Sequence, residues 1–125
     1  MDYKNYLKKL PDQEKTFKFE LKGNISQITF DGDFTCKVLK IKDQIEVAKY
    51  KAFLNGGFEL GMDPASLDMN DKIAFLKVSL VKFPTWWEDC SFGQDLFDEN
   101  ITKELYAKVV EFDNEWVAAI NGTSK

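Results

Sequence analysis

The residues best suited to chemistry are two adjacent carboxylates, Glu88 and Asp89, which directly follow Trp86 and Trp87. A pair of carboxylates can act as general acid and general base, and an indole beside a carboxylate suits contact with a sugar ring. Neighbouring side chains point apart, however, and an acidic pair on a protein surface is usually solvated. The sequence therefore does not favour catalysis here, and it leaves a carbohydrate- or small-ligand-binding groove at the Trp pair as an alternative function.

Two residue types that support catalysis and phosphate binding are missing from the chain. It has no histidine, and all 17 basic residues are lysine. Histidine is the usual proton carrier near neutral pH and a common metal ligand, and arginine is the usual bidentate ligand of phosphate. The net charge of −4 also lacks the basic footprint of nucleic-acid binding. We predict a protein that is not an enzyme and has no cofactor, metal or nucleic-acid partner.

The two cysteines, Cys36 and Cys90, lie far apart in the chain and match no metal-binding or redox spacing. Cys36 falls on the apolar face of a predicted strand, so we expect a buried free thiol, with a disulfide to Cys90 as the alternative. No apolar run approaches the length of a membrane span. No signal peptide is visible either, which predicts a cytosolic chain without a membrane partner.

Length and composition predict one folded domain. The chain has 125 residues, of which 44% are hydrophobic, enough for a substantial core. We place a single α+β domain at residues 15–122, between an N-terminal arm or short helix at 1–14 and a flexible tail at 123–125. Tyr3 and Tyr6 share helical spacing in the first segment, which either packs as a terminus or reaches a partner.

An N-terminal β-hairpin follows from alternation of apolar and polar residues. Residues 16–22 alternate strictly, and Gly23-Asn24 is a tight-turn dipeptide before a second strand at about residues 27–38. The apolar residues before and after Gly32 lie on the same face of the predicted strand. This favours one long strand with a glycine kink or bulge, and a three-residue loop at this point is the alternative.

Three main helices follow from apolar spacing, at residues 41–55, 72–83 and 100–121. In the first, Ile45, Ala48, Ala52 and Phe53 share a face. In the second, apolar residues recur every three or four positions until Pro84 disfavours helical geometry. The predicted fold is α+β, an N-terminal antiparallel hairpin packed on three main α-helices.

The Trp pair and two tyrosines are the candidate protein-binding residues. We expect Trp86 and Trp87 in a non-helical turn, where one indole enters the core and the other is partly exposed; the alternative is that both are core. An exposed tryptophan is a common anchor at protein interfaces. Trp87 is the first candidate anchor, with Trp86, Tyr3 and Tyr6 beside it.

The order of these features resembles a known family. The matching segments are residues 32–37 at the close of the hairpin, 41–57 with their Leu-Asn-Gly-Gly ending, 67–68, 83–87 with Phe-Pro-Thr-Trp-Trp, and 101–112. Over residues 16–115 the chain is similar to the tail assembly chaperones, small proteins encoded in the tail-gene region of tailed bacteriophages. Many members have an arginine-rich second strand, whereas this chain has Lys37 and Lys40 there, so a basic contact surface is not carried over.

The resemblance implies a protein-binding role in phage tail assembly. Such a protein holds a tape-measure or tail-tube component in the host cytoplasm, and its partners are other phage proteins or a second copy of itself. The alternative implied by the same resemblance is a small structural protein retained in the virion.

Overall fold

The computed structural model describes residues 1–122, so the predicted tail at 123–125 lies outside the described residues. Its helices and strands are α1 (Tyr3–Lys8), β1 (Glu14–Lys22), β2 (Thr29–Lys37), α2 (Ile41–Asn55), α3 (Pro64–Ser79), β3 (Leu80–Lys82), α4 (Thr85–Asp89) and α5 (Glu99–Ile120), with one 3-10 turn at Glu59–Gly61. The predicted α+β fold, a hairpin on three main helices, is confirmed.

The sheet is antiparallel and has three strands in the order β1-β2-β3. In the β1–β2 hairpin, Phe17 lies opposite Phe34, and Lys22 lies opposite Thr29. The short strand β3 was not predicted. It adds to the far edge of β2 because the chain returns to the sheet directly after α3.

The long second strand is confirmed, and Gly32 allows it to continue. Gly32 has φ of +145°, a conformation that L-residues rarely adopt. A Cβ atom at this position would lie 2.8 Å from Cγ of Pro84, so glycine also makes room for the chain entering α4. The pairing of β1 with β2 runs through Gly32 without a shift, and the irregularity lies instead between Thr35 and Cys36, opposite β3.

The core lies between one face of the sheet and helices α3, α4 and α5. Its buried members are Phe19, Phe34, Cys36, Leu76, Leu80, Trp87, Ile101, Leu105, Val109 and Phe112. Cys36 is a buried free thiol as predicted, and both cysteines are free, so the alternative of a disulfide is wrong. Burial raises the pKa of Cys36 to about 11, with a smaller contribution from the charge of Asp113.

The predicted limits of the central helix are wrong at both ends. Helix α3 begins at Pro64, where the Asp63 carboxylate accepts a hydrogen bond from the Ser66 backbone N–H, a standard N-terminal cap with proline at the first position. It ends at Ser79, before Pro84, because Leu80–Lys82 pairs with β2 instead.

Helix α2 has the predicted limits but not the predicted inner face. Ile45 is 51% exposed and Phe53 is 74% exposed, whereas Asp43 and Asn55 are buried. The Asn55 carboxamide oxygen accepts a 2.8 Å hydrogen bond from Asn70 of α3. Polar contacts therefore contribute to the attachment of this helix, and two of its large apolar side chains, Ile45 and Phe53, are exposed to solvent.

Candidate protein-binding surface

Trp87 is not an exposed anchor, and that prediction is wrong. Its side chain is 0% exposed, and its ring centroid lies 6.3 Å from that of Phe34. Residues Thr85–Asp89 form the short helix α4 rather than the predicted non-helical turn. Successive side chains on a helix diverge by about 100°, which directs Trp87 into the core.

Trp86 is the partly exposed member of the pair. Its indole N–H donates a 2.7 Å hydrogen bond to the carbonyl oxygen of Asp31, and its ring lies edge-on to Phe30 and Phe34. One indole is thus buried and the other partly exposed, as expected, but the buried one is Trp87 and the partly exposed one is Trp86. These contacts hold Trp86 against the sheet, which makes the Trp pair a poor platform for a sugar.

Tyr3 and Tyr6 lie on α1, where both are exposed with ring centroids 5.9 Å apart. Helix α1 contains no buried residue. The segment after it is attached to the domain, because the Trp116 indole N–H donates a 3.2 Å hydrogen bond to the carbonyl oxygen of Pro11. The role of the two tyrosines in partner binding stays a prediction.

An open apolar groove lies between α2 and α5. This α2–α5 groove has a volume of about 330 Å³ and is lined by Val38, Leu39, Gln44, Val47, Phe75, Asp113, Trp116 and Val117. Phe75 belongs to α3, the helix that packs against both α2 and α5. Val38 and Leu39 come from the connection between β2 and α2, so four parts of the fold meet at the groove.

Exposed apolar side chains continue both helical walls of the groove. On α2 this is Ile41, three positions before the lining residue Gln44; on α5 they are Val117, itself a lining residue, and Ile120, three positions after it. We call these three residues the apolar rim. Single exposed apolar residues are ordinary, but apolar residues grouped around a groove are typical of binding sites.

Sequence reasoning missed this surface because it assigned the apolar residues of each helix to the core. One signal was present in the chain. In α2, the apolar positions Ile41 and Ile45 alternate with polar positions such as Asp43 that turn out to be the buried ones. Asp43 accepts hydrogen bonds from the Lys40 backbone N–H and from the Lys37 ammonium group, and chiefly the first of these lowers its pKa.

Asp113 is the ionisable residue of the groove. Its Oδ1 atom is buried and has no hydrogen-bond partner among residues 1–122, and burial raises the pKa of this carboxyl. An unpaired carboxylate oxygen in an apolar setting is unfavourable unless a donor or cation reaches it. The groove is therefore apolar with one acidic position.

The described part of the chain shows no cluster of three His, Cys, Asp or Glu side chains suited to a metal ion. None of the helices within residues 1–122 has both the length and the apolarity of a membrane span. Comparisons with protein-family models, curated proteins and solved structures found no match to this chain. The resemblance to phage tail assembly chaperones stays a prediction from the sequence motifs.

Proposed function

We propose that this protein binds another polypeptide through the α2–α5 groove and its apolar rim. We further propose that it acts in phage tail assembly, as a chaperone for a tape-measure or tail-tube component. The observation that carries the binding proposal is the exposure of Ile41 and Val117 at an open apolar groove. The phage setting comes from the sequence resemblance.

The α2 surface is held ready for a partner by polar contacts on its other side. The Lys51 ammonium group lies 2.6 Å from an Asp71 carboxylate oxygen of α3, and Asn70 donates to Asn55 at the end of the helix. A helix attached in this way keeps its apolar residues at the surface without burying them against its own domain. Binding then requires little rearrangement, which lowers its entropic cost.

A chaperone role fits a surface of this kind. A tail component that polymerises must keep its assembly surface covered until the correct partner arrives, and an apolar groove covers such a surface by helix-in-groove contact. The client is released when its assembly partner competes for the same apolar side chains.

Quantitative mass spectrometry of infected cells and of purified particles tests the assembly role. A chaperone is abundant in the cells and absent from the particles. Presence at a fixed copy number in the particles would instead identify a virion structural component. Co-expression with the tape-measure protein adds a direct readout, because the chaperone should increase the soluble fraction of its client.

A matched pair of variants connects that readout to the surface. Val117→Lys places a charge on the rim, where the side chain is 50% exposed, and Ile28→Lys changes a 59% exposed residue outside the groove. Ile28 precedes β2 and Val38 follows it, so the control lies about 30 Å from that end of the groove. Only Val117→Lys should lower the soluble fraction of the client.

A further inference from the structure

We infer that the α2–α5 groove takes an amphipathic helix of the partner protein, and that this helix presents one lysine or arginine to Asp113 among apolar side chains. The inference rests on the proposed protein-binding function and specifies the chemistry of the partner.

The charge of the partner follows from the unpaired oxygen of Asp113. Asp98 is also buried, but it accepts hydrogen bonds from the Ile25 and Ser26 backbone N–H groups and from the Ser26 hydroxyl. Asp43 is likewise paired, with Lys37 and Lys40. The Asp113 carboxylate has no such partner within the described residues: Oδ1 is buried and unpaired, and the half-buried side chain leaves Oδ2 as the oxygen towards the groove. A cationic group that enters the groove with its own N–H donors pairs with this carboxylate by a charge-assisted hydrogen bond to Oδ2.

The apolar part of the partner follows from the lining. Val47 of α2, Phe75 of α3, and Trp116 and Val117 of α5 line the same groove as the acidic position. A basic residue inserted among them needs apolar neighbours in the partner, because an isolated charge would leave these side chains exposed to water. The long aliphatic stem of lysine or arginine also packs along such surfaces.

The helical form of the partner follows from the backbone of the groove. The two long walls are helices, whose N–H and C=O groups are already paired along most of their length, and in the non-helical connection the Val38 N–H donates to the Gln13 carbonyl oxygen. A partner strand would find no free edge along these two helices for its own backbone groups, whereas a helix satisfies its backbone internally. A helix is about 10–12 Å across, so it lies over the opening and inserts side chains, with the rim of Ile41, Val117 and Ile120 against its flanking turns.

Peptide display against the intact protein tests this chemistry. The library consists of amphipathic helical peptides about five turns long, with one position at the centre of the apolar face randomised to all residues. It is selected separately on the wild type and on Asp113→Asn, which keeps the side-chain shape and removes the charge. We expect lysine and arginine to be enriched by about tenfold or more on the wild type and not on Asp113→Asn.

Three further variants separate the charge pairing from the docking surface. Val117→Lys should abolish peptide selection and Ile28→Lys should leave it intact, and the charge reversal Asp113→Lys should select aspartate or glutamate at the randomised position. Equal residue preferences on the wild type and Asp113→Asn overturn the inference, as does a library without any binder. Peptides that depend on Val117 but show no basic preference contradict the pairing with Asp113 and leave the proposed binding function standing.

Discussion

The indole rings of Trp86 and Trp87 are perpendicular, with centroids 6.0 Å apart, so two adjacent residues serve different parts of the structure. Trp87 fills the core. Trp86 covers the face of the sheet and is attached to Asp31 through its N–H group. Helix α4, which begins directly after Pro84, produces this separation.

Substitution of the two tryptophans should therefore have unequal effects. Trp87→Ala empties the centre of the core and should lower the free energy of unfolding by about 3–5 kcal/mol. Trp86→Phe keeps most of the ring contacts and removes one hydrogen bond, for a loss of about 1 kcal/mol. Urea unfolding followed by far-ultraviolet circular dichroism measures both; losses of similar size would show that Trp87 does not fill the core.

Gly32 should be intolerant of even the smallest side chain. Gly32→Ala forces a Cβ atom against Pro84 and imposes the φ of +145° on an L-residue, so we expect a loss of about 1–3 kcal/mol in stability. Gly61→Ala is the matched control, because no atom lies within 4 Å of its added Cβ. Thermal unfolding of the two variants should differ clearly; equal melting temperatures would contradict the close approach of Pro84 to β2.

Asp98 should stabilise the fold at neutral pH but not in acid. Hydrogen bonds lower the pKa of this carboxyl in the folded state. The largest effect comes from the Ser26 backbone N–H, and the Ser26 hydroxyl and the Ile25 backbone N–H add to it. Its stabilising contribution is therefore present above the unfolded pKa of about 3.9 and is lost as the pH falls through the lowered folded value. Asp98→Asn should be less stable than the wild type at pH 7, and the difference should shrink on acidification. Asp12→Asn, at an exposed position, is the control in this urea titration series, and a pH-independent difference for Asp98→Asn would contradict the assignment.

Asp113 should show the opposite pH dependence. Burial raises its pKa in the folded state, so the stability of the free protein falls as pH rises from the ordinary value towards the raised one. Asp113→Leu should therefore be more stable than the wild type at pH 7, by on the order of 1 kcal/mol because the side chain is only partly buried. The gain should disappear at low pH, where the carboxyl is protonated. A variant that is less stable than the wild type at pH 7 would show that Asp113 has a partner within the domain.

Local patterns were sufficient for much of the fold. The hairpin was predicted from two local patterns. Residues 16–22 alternate between apolar and polar, and the apolar residues stay on one face of the strand across Gly32. Both patterns depend only on neighbours in sequence. The glycine after Asn55 predicted the end of α2, and Gly56 does adopt the left-handed conformation, with φ of +60°. The end of α3 was missed because Leu80–Lys82 pairs with β2, a contact between residues more than 40 positions apart.

The proposed binding surface could not be predicted from periodicity, because tertiary contacts between helices form it. The apolar spacing in α2 is real, but the helix packs on α3 with Asn55 bonded to Asn70, and Ile45 faces solvent. Asp113 follows the core residue Phe112 in sequence, and only the arrangement of α2, α3 and α5 places it in a groove. The partly exposed tryptophan was misassigned because the short helix after Pro84 was not foreseen.

The most direct test of the central claim is the dissociation constant for the proposed client, a tape-measure or tail-tube protein, measured by isothermal titration calorimetry. The variants are Ile41→Lys and Val117→Lys on the two helices of the groove, with Ile28→Lys as the control at another exposed position. We predict that each rim variant raises the dissociation constant by about tenfold or more, and that the control changes it by less than about twofold. Equal affinities for all four proteins, or a loss confined to Ile28→Lys, would contradict binding through the α2–α5 groove.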